Sequence, residues 1–179
     1  MSVNAEKEIS KLWKNLHAAQ SETGKTFYRW RQVALDLAGP DAEPREVSLK
    51  AAEVFGKDIG KGFLPRLNWL KGEEGFMLNL GRSFAGLWNT DGAIATVEKG
   101  ENPGEVFIKC TRDPWPTYAK EYGVPMEEVA LYREKLFQSI LTDVSVFFNI
   151  KLKIEMLKAI PRGQGMWLMR LYKDEEQRS

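Results

Sequence analysis

The chain has 179 residues, 43% hydrophobic and 28% charged, with 26 basic against 25 acidic side chains. That length suits one core rather than two, and the near-zero net charge gives no overall pull toward nucleic acid or a membrane surface. One cysteine excludes an internal disulfide, one histidine and one cysteine are too few for a Cys/His zinc site, and no apolar run reaches the ~20 residues of a membrane span.

The N-terminus, Met1 to Glu8, carries charge where a secretory signal needs an apolar stretch, so the expectation is a cytoplasmic protein. Ile9, Leu12, Trp13 and Leu16 recur at helical spacing over residues 5–20, which predicts an amphipathic helix that docks its apolar stripe and ends at Ser21-Glu-Thr-Gly24. A second helix, Thr26 to Leu37, carries Phe27, Trp30, Leu35 and Leu37 and stops at Gly39-Pro40. After a loop to Pro44, Val47, Leu49, Ala52, Val54 and Phe55 predict a third helix over Glu46 to Phe55, and Gly56, Gly60 and Gly62 interrupt the stretch beyond it. These glycines are not a phosphate loop. Gly60-Lys61 is followed by glycine and Phe63 where magnesium binding needs Ser or Thr, and the glycines read as flexible backbone at a helix junction. Another segment starts at Pro65 to Trp69. Phe76, Met77, Leu80, Phe84, Leu87 and Trp88 then trace a helical face, on which Gly81 and Gly86 allow close approach by a backbone or a ligand.

Asn89-Thr-Asp-Gly92 is a turn, after which the period changes from helical to two. Ala93 to Lys99 and the stretch from Glu105 form a hairpin around Gly100-Glu-Asn-Pro-Gly104, with Val106, Ile108 and Cys110 on one face and Phe107, Lys109 and Thr111 on the other. The second strand stops at Pro114, and the two prolines around Trp115 hold its indole in a stiff aromatic turn. Tyr118 and Tyr122 lead through a loop or short helical turn to Pro125, which can open a helix with Glu127 and Glu128 in its first turn. Val129, Tyr132, Leu136, Ile140, Val144 and Phe147 make this the clearest helix, and it ends near Asn149. A closing hairpin runs from Ile150 to Met156 and, past Pro161-Arg-Gly-Gln-Gly165, from Met166 to Tyr172. The class is therefore α+β in one domain spanning 1–179. Residues 1–88 are mainly helical, and residues 89–173 form a four-stranded antiparallel sheet whose long helix, 126–148, lies between its hairpins.

From about Phe76 to Lys173 this layout resembles the vinyl-reductase-like superfamily, comprising 4-vinyl reductase-like domains and L-2-amino-thiazoline-4-carboxylic acid hydrolase-like relatives. The resemblance rests on Gly81-Arg82 and Gly86-x-Trp88 leading into a hairpin, a Cys-x-x-x-Pro-Trp element, the long helix and the Gly-polar-Gly turn. It implies a small-molecule sensor, an accessory domain of tetrapyrrole or aromatic metabolism, or a hydrolase. Such relatives often end the second strand in cysteine-proline. Here Asp113 precedes Pro114 and Cys110 lies earlier, a departure that weighs against thiol chemistry and a cysteine-bound metal.

The residues leave alternatives open. Cys110 is either a nucleophile in need of a base, with His17 remote in sequence, or a small buried strand residue. Asp113 is either a turn cap or a carboxylate that orients a ligand or acts as general base, with Tyr118 as donor and Trp115 as apolar wall. Arg82 and Arg162 are either solvated surface charges or the cations that meet an acidic ligand, and Trp88, like Trp69, Trp115 and Trp167, is either a core residue or a wall of an aromatic-lined cavity. The expected function is binding of a small organic molecule, aromatic or carboxylated, as a binding or accessory subunit, between the helix ending at Trp88, the Asp113–Tyr118 corner and the long helix. The alternatives are a hydrolase-like enzyme using Asp113, Tyr118 or Cys110, and an oligomerisation module. No cofactor or metal is specified. The partners in view are a small organic ligand and a second copy or an enzyme subunit, not nucleic acid or membrane.

Overall fold

A computed structural model describes residues 3–174. The chain runs α1 (Val3–Ala38), α2 (Pro44–Phe63), α3 (Gly72–Thr90), β1 (Ile94–Lys99), β2 (Glu105–Arg112), α4 (Trp115–Glu121), α5 (Met126–Phe148), β3 (Leu152–Lys158) and β4 (Trp167–Lys173). The class is α+β. All strand pairs are antiparallel and the sheet order is β1-β2-β4-β3, so both predicted hairpins form and β2 and β4 join them at the centre.

The inner sheet face is the one the period of two indicates. Val106, Ile108 and Cys110 of β2 alternate inward beside Trp167, Met169 and Leu171 of β4, all buried. Met77, Leu80, Phe84 and Trp88 of α3 and Phe137, Ile140 and Val144 of α5 are buried in the same core. Gly81 lets α3 settle onto the sheet, since a Cβ there would stand 3.0 Å from a Val97 methyl and 3.1 Å from a Val106 methyl. Asn149, in the left-handed region at φ 50°, ends α5 as expected.

The helical half differs from the expectation in three ways. Residues 3–38 form one helix of 36 residues, not two, because Gly24 is a contact glycine rather than a stop: a Cβ there would meet the Tyr118 ring at 2.5 Å. Likewise Gly56 and Gly60 do not break α2. They press it onto α5, where a Cβ at 56 would stand 2.5 Å from Ser139 Cβ and 2.8 Å from the Leu136 carbonyl, and one at 60 would stand 3.0 Å from the Ile140 carbonyl. Finally, the stripe of Ile9, Leu12, Trp13 and Leu16 does not dock on the body. Those side chains are exposed.

A buried ion pair joins the helices. Arg31 of α1 donates from Nε and Nη2 to the two carboxylate oxygens of Glu128 at 2.6 and 2.8 Å, and Nε also reaches Ser48 Oγ of α2 at 3.0 Å. The Ser48 hydroxyl donates to Glu128 in turn, so one carboxylate ties α1, α2 and α5 together. Glu128 thus serves more than the dipole of its own helix.

Candidate functional site

The corner after β2 is built by a bulge and two prolines. Ile94 pairs with Arg112 while Ala95 pairs with Cys110, so Thr111 is an extra residue that bends the strand as it leaves the sheet. Pro114 caps α4 and Pro116 lies in its first turn, where a missing N–H costs nothing, so the expected aromatic turn is the start of a seven-residue helix. Asp113 Oδ1 accepts the Trp115 backbone N–H at 3.0 Å and fixes that start. On the other side, Asn89 ties α3 to β1 by accepting the Ala95 N–H at 2.7 Å and donating to its carbonyl at 3.2 Å.

Arg133 of α5 lies at the centre of what these elements enclose. Its side chain is 3% exposed, its guanidinium carbon sits 5.7 Å from the Trp88 ring centroid and 5.1 Å from that of Trp115, and its Nη2 and Nη1 face Asp113 and Asp91 at 3.3 and 3.5 Å. Charge-assisted bonds usually lie near 2.7–2.9 Å, so neither carboxylate is tightly held. Burial opposes the charge on Arg133, but Asp113 and then Asp91 outweigh it and raise its pKa. Burial also raises the Asp91 carboxyl above its ordinary value, with Arg133 pulling it down and Asp113 pushing it up. Phe27, Tyr28 and Tyr132 complete an aromatic shell round Trp115, with centroids 5.4, 6.0 and 6.4 Å from its ring. Burial pushes both tyrosine hydroxyls above their ordinary pKa.

Against the outer side of this cluster lies a cleft of about 190 Å³ lined by His17 and Gln20 of α1, Asp91 and Gly92, and Arg112, Pro114 and Tyr118 of the corner. His17, remote in sequence, therefore meets the corner, because α1 is one unbroken helix. Two polar atoms on this side are buried without a partner among the described residues: Gln20 Oε1 and Trp115 Nε1. A Cβ at Gly24, one turn beyond Gln20, would stand 3.7 Å from Trp115 Nε1, so the free acceptor and the free donor border the same helix face. Trp88 and Trp167, with centroids 6.0 Å apart, also carry buried indole N–H groups with no partner among those residues.

The structure brings Asp113, Trp88 and Trp115 around one guanidinium and sets Tyr118 on the cleft. It does not bring the other candidates there. Arg82 is exposed on the outer face of α3, in a separate surface hollow with Arg66 and Thr90. Arg162 is held bidentately by Glu127 at 3.0 and 2.6 Å. Cys110 is fully buried on the inner sheet face, its thiol donates to the Arg112 carbonyl at 3.2 Å, and burial, with the Asp113 charge, pushes its pKa up to about 12. A thiol so placed offers no thiolate to a substrate. Asp113 has no side-chain exposure and spends its oxygens on Trp115 and Arg133, so it orients its neighbours rather than meeting solvent. The space foreseen between Trp88, the corner and the long helix is filled by Arg133 itself. Arg133 sits on the buried side of a helix whose apolar stripe masks it in sequence; its one visible signal is a charge beside Tyr132 and Leu136.

No helix among the described residues is long and apolar enough to cross a membrane. No protein-family model and no curated protein matches this chain. Solved structures do resemble it. A trafficking protein particle complex subunit 3 from Naegleria fowleri, covalently bound to palmitic acid, is 13% identical over 88% of this chain and 98% of its own, with a TM-score of 0.44. The phenol-responsive sensory domain of the transcription activator PoxR, with phenol, is 13% identical over 86% of this chain and 75% of its own, with a TM-score of 0.49. At such identity and overlap neither ligand nor assembly carries over to this chain.

Proposed function

We propose that this chain is a small-molecule-binding domain whose ligand enters the cleft between α1 and the Asp113–Tyr118 corner. The observation that carries the reading is the unpartnered acceptor Oε1 of Gln20, a residue of the cleft lining, since buried polar atoms ordinarily find partners; the equally unpartnered Trp115 Nε1 lies behind that lining, against α1 at Gly24. The volume of about 190 Å³ falls below the roughly 300–1,000 Å³ of pockets for drug-sized ligands, which restricts the ligand to about one ring. Tyr118 supplies a ring face and a hydroxyl, Arg112 and His17 favour an acidic or hydroxyl substituent at their end of the cleft while Asp91 accepts from a hydroxyl at the other side, and Arg133 with Asp113 holds Trp115 rigid behind them. A compact aromatic acid or phenol fits that set. The likeness of residues 76–173 to vinyl-reductase-like domains, read from Gly81-Arg82, Trp88 and the Pro114-Trp115 corner, points the same way and favours an accessory or sensory role.

The test is a titration of the protein with benzoate and phenol, followed by tryptophan fluorescence and calorimetry, with native mass spectrometry of the protein as purified. Saturable binding that weakens in Gln20→Ala and Tyr118→Ala supports the site. No saturable response to either ring and no co-purifying small molecule, or binding indifferent to both substitutions, removes it.

A further inference from the structure

The helix α1 carries two apolar faces where a surface helix of a globular domain needs one. Phe27, Tyr28 and Arg31 face the body, while a second stripe faces solvent along nearly the whole helix. In that stripe Ile9, Leu16, Thr23, Trp30 and Leu37 follow one another at seven residues. Leu12, Ala19, Thr26 and Val33 fall three residues after each of the first four, the alternating three-four step of a coiled-coil seam over four heptads. Leu12 is 65%, Trp30 67% and Leu37 83% exposed, and every residue from Glu6 to Ala19 is exposed. A stripe with period 3.5 rather than 3.6, kept for this length and turned away from the body, is patterned for another helix.

We infer that its occupant is a second copy of this chain, packed with α1 antiparallel to α1 in a twofold-symmetric dimer. The seam pairs well in one register. With Leu16 opposite the partner's Ala19, Leu12 falls opposite the partner's Thr23 and Ile9 opposite the partner's Thr26, so large side chains of the N-terminal half meet small ones of the C-terminal half. The flanking positions then set Glu8 beside the partner's Arg29 and Asn15 beside the partner's Glu22, so that Glu8 joins as a second carboxylate the pair that Arg29 and Glu22 form within one chain, where Arg29 also donates to the Tyr122 hydroxyl. Sliding the helices one heptad further together sets Glu8 against the partner's Asp36 and Glu22 against the partner's Glu22, both repulsive. A parallel pair stacks Trp30 on Trp30 and Thr23 on Thr23 and forms no flanking charge pair. Charge and size thus select the same antiparallel register, which covers the seam from Ile9 to Trp30, the last opposite the partner's Ala5, and leaves Val33 and Leu37 outside the contact. Such a contact is isologous, so it closes at two copies.

Sedimentation of the whole chain across a concentration series tests the inference. The wild type sediments as a dimer, and Leu12→Glu with Leu16→Glu, both on the solvent side of α1, gives a monomer with unchanged circular dichroism. Glu8→Arg weakens association roughly two- to thirtyfold, since a symmetric dimer loses the exposed pair twice. Register is read by oxidation: Leu12→Cys combined with Thr23→Cys gives a covalent dimer and neither single substitution does. Within one chain those positions are about 16 Å apart along the helix, beyond the ~7 Å reach of a disulfide. A wild type that stays monomeric, a dimer that survives the double glutamate substitution, or cross-linking by Leu12→Cys alone would each overturn it, the last by showing a parallel pair.

Discussion

Arg133 and Asp113 face each other at 3.3 Å in the interior, twenty residues apart in the chain, with Trp88 and Trp115 on either side of the guanidinium. The pair joins the end of β2 and the start of α4 to the long helix, and thereby sets the wall against which the proposed cleft is formed.

Removing the cation leaves the buried Asp113 and the half-buried Asp91 facing no countercharge. Arg133→Leu is therefore expected to cost roughly 3–5 kcal/mol, the range for breaking a buried pair from one side. Urea unfolding measures this directly, and a loss under about 1 kcal/mol would show that water reaches Asp113.

Asp91 is the surplus charge of the trio, and Asp91→Asn is expected to stabilise the protein modestly near neutral pH. Burial raises its folded pKa above the ordinary 3.8, so its contribution is fully present below that value, where the carboxyl is protonated in both states, and is lost as pH rises through the folded value. The gain from asparagine should accordingly shrink as the pH falls through the folded value and vanish only below the ordinary 3.8. Paired unfolding curves of the two proteins across that range decide it.

The glycines divide by what a methyl would meet. Gly56→Ala places Cβ 2.5 Å from Ser139 Cβ and 2.8 Å from a backbone oxygen, and overpacking of this kind costs about 1–3 kcal/mol. At Gly86, exposed within α3, nothing lies within 4 Å, and Gly86→Ala should add about 0.5–1 kcal/mol from helix propensity. Opposite shifts in thermal midpoint are the expected result.

Cys110 should resist alkylation. Its pKa of about 12 and complete burial leave almost no thiolate at mildly alkaline pH, so labelling by iodoacetamide should follow unfolding and rise with urea along the same curve as circular dichroism. Rapid stoichiometric labelling of the native protein would contradict the burial. Because the folded pKa is raised, the stability gained from the protonated thiol is present below the unfolded thiol value and lost as pH rises toward about 12.

Much of the second half could be read in advance because its signals are local. The period of two from Val106 to Cys110, the turn glycines at 100 and 104 and the spacing from Val129 to Phe147 each specify an element within a few residues of chain, and β2, the hairpins and α5 lie where those patterns put them. Local pattern also marked the stripe of Ile9, Leu12, Trp13 and Leu16, but its continuation at seven residues through Thr23 and Trp30 to Leu37, and its turning away from the body, emerged only with the unbroken helix.

Distance along the chain sets the boundary of that legibility. Whether a glycine ends a helix or admits a neighbour depends on what packs against it, so Gly24, Gly56 and Gly60 were indistinguishable from breaks until Tyr118, Ser139 and Ile140 stood beside them. The centre of the candidate site depends on packing in the same way. Arg133 looks like any charge on an amphipathic helix, and it acquires two carboxylates and two indoles because α3, β2, α4 and α5 converge, bringing together groups as far apart as Asp91 and Arg133. Periodicity reports which side of an element avoids water; it carries no information about which distant side chain will be waiting there.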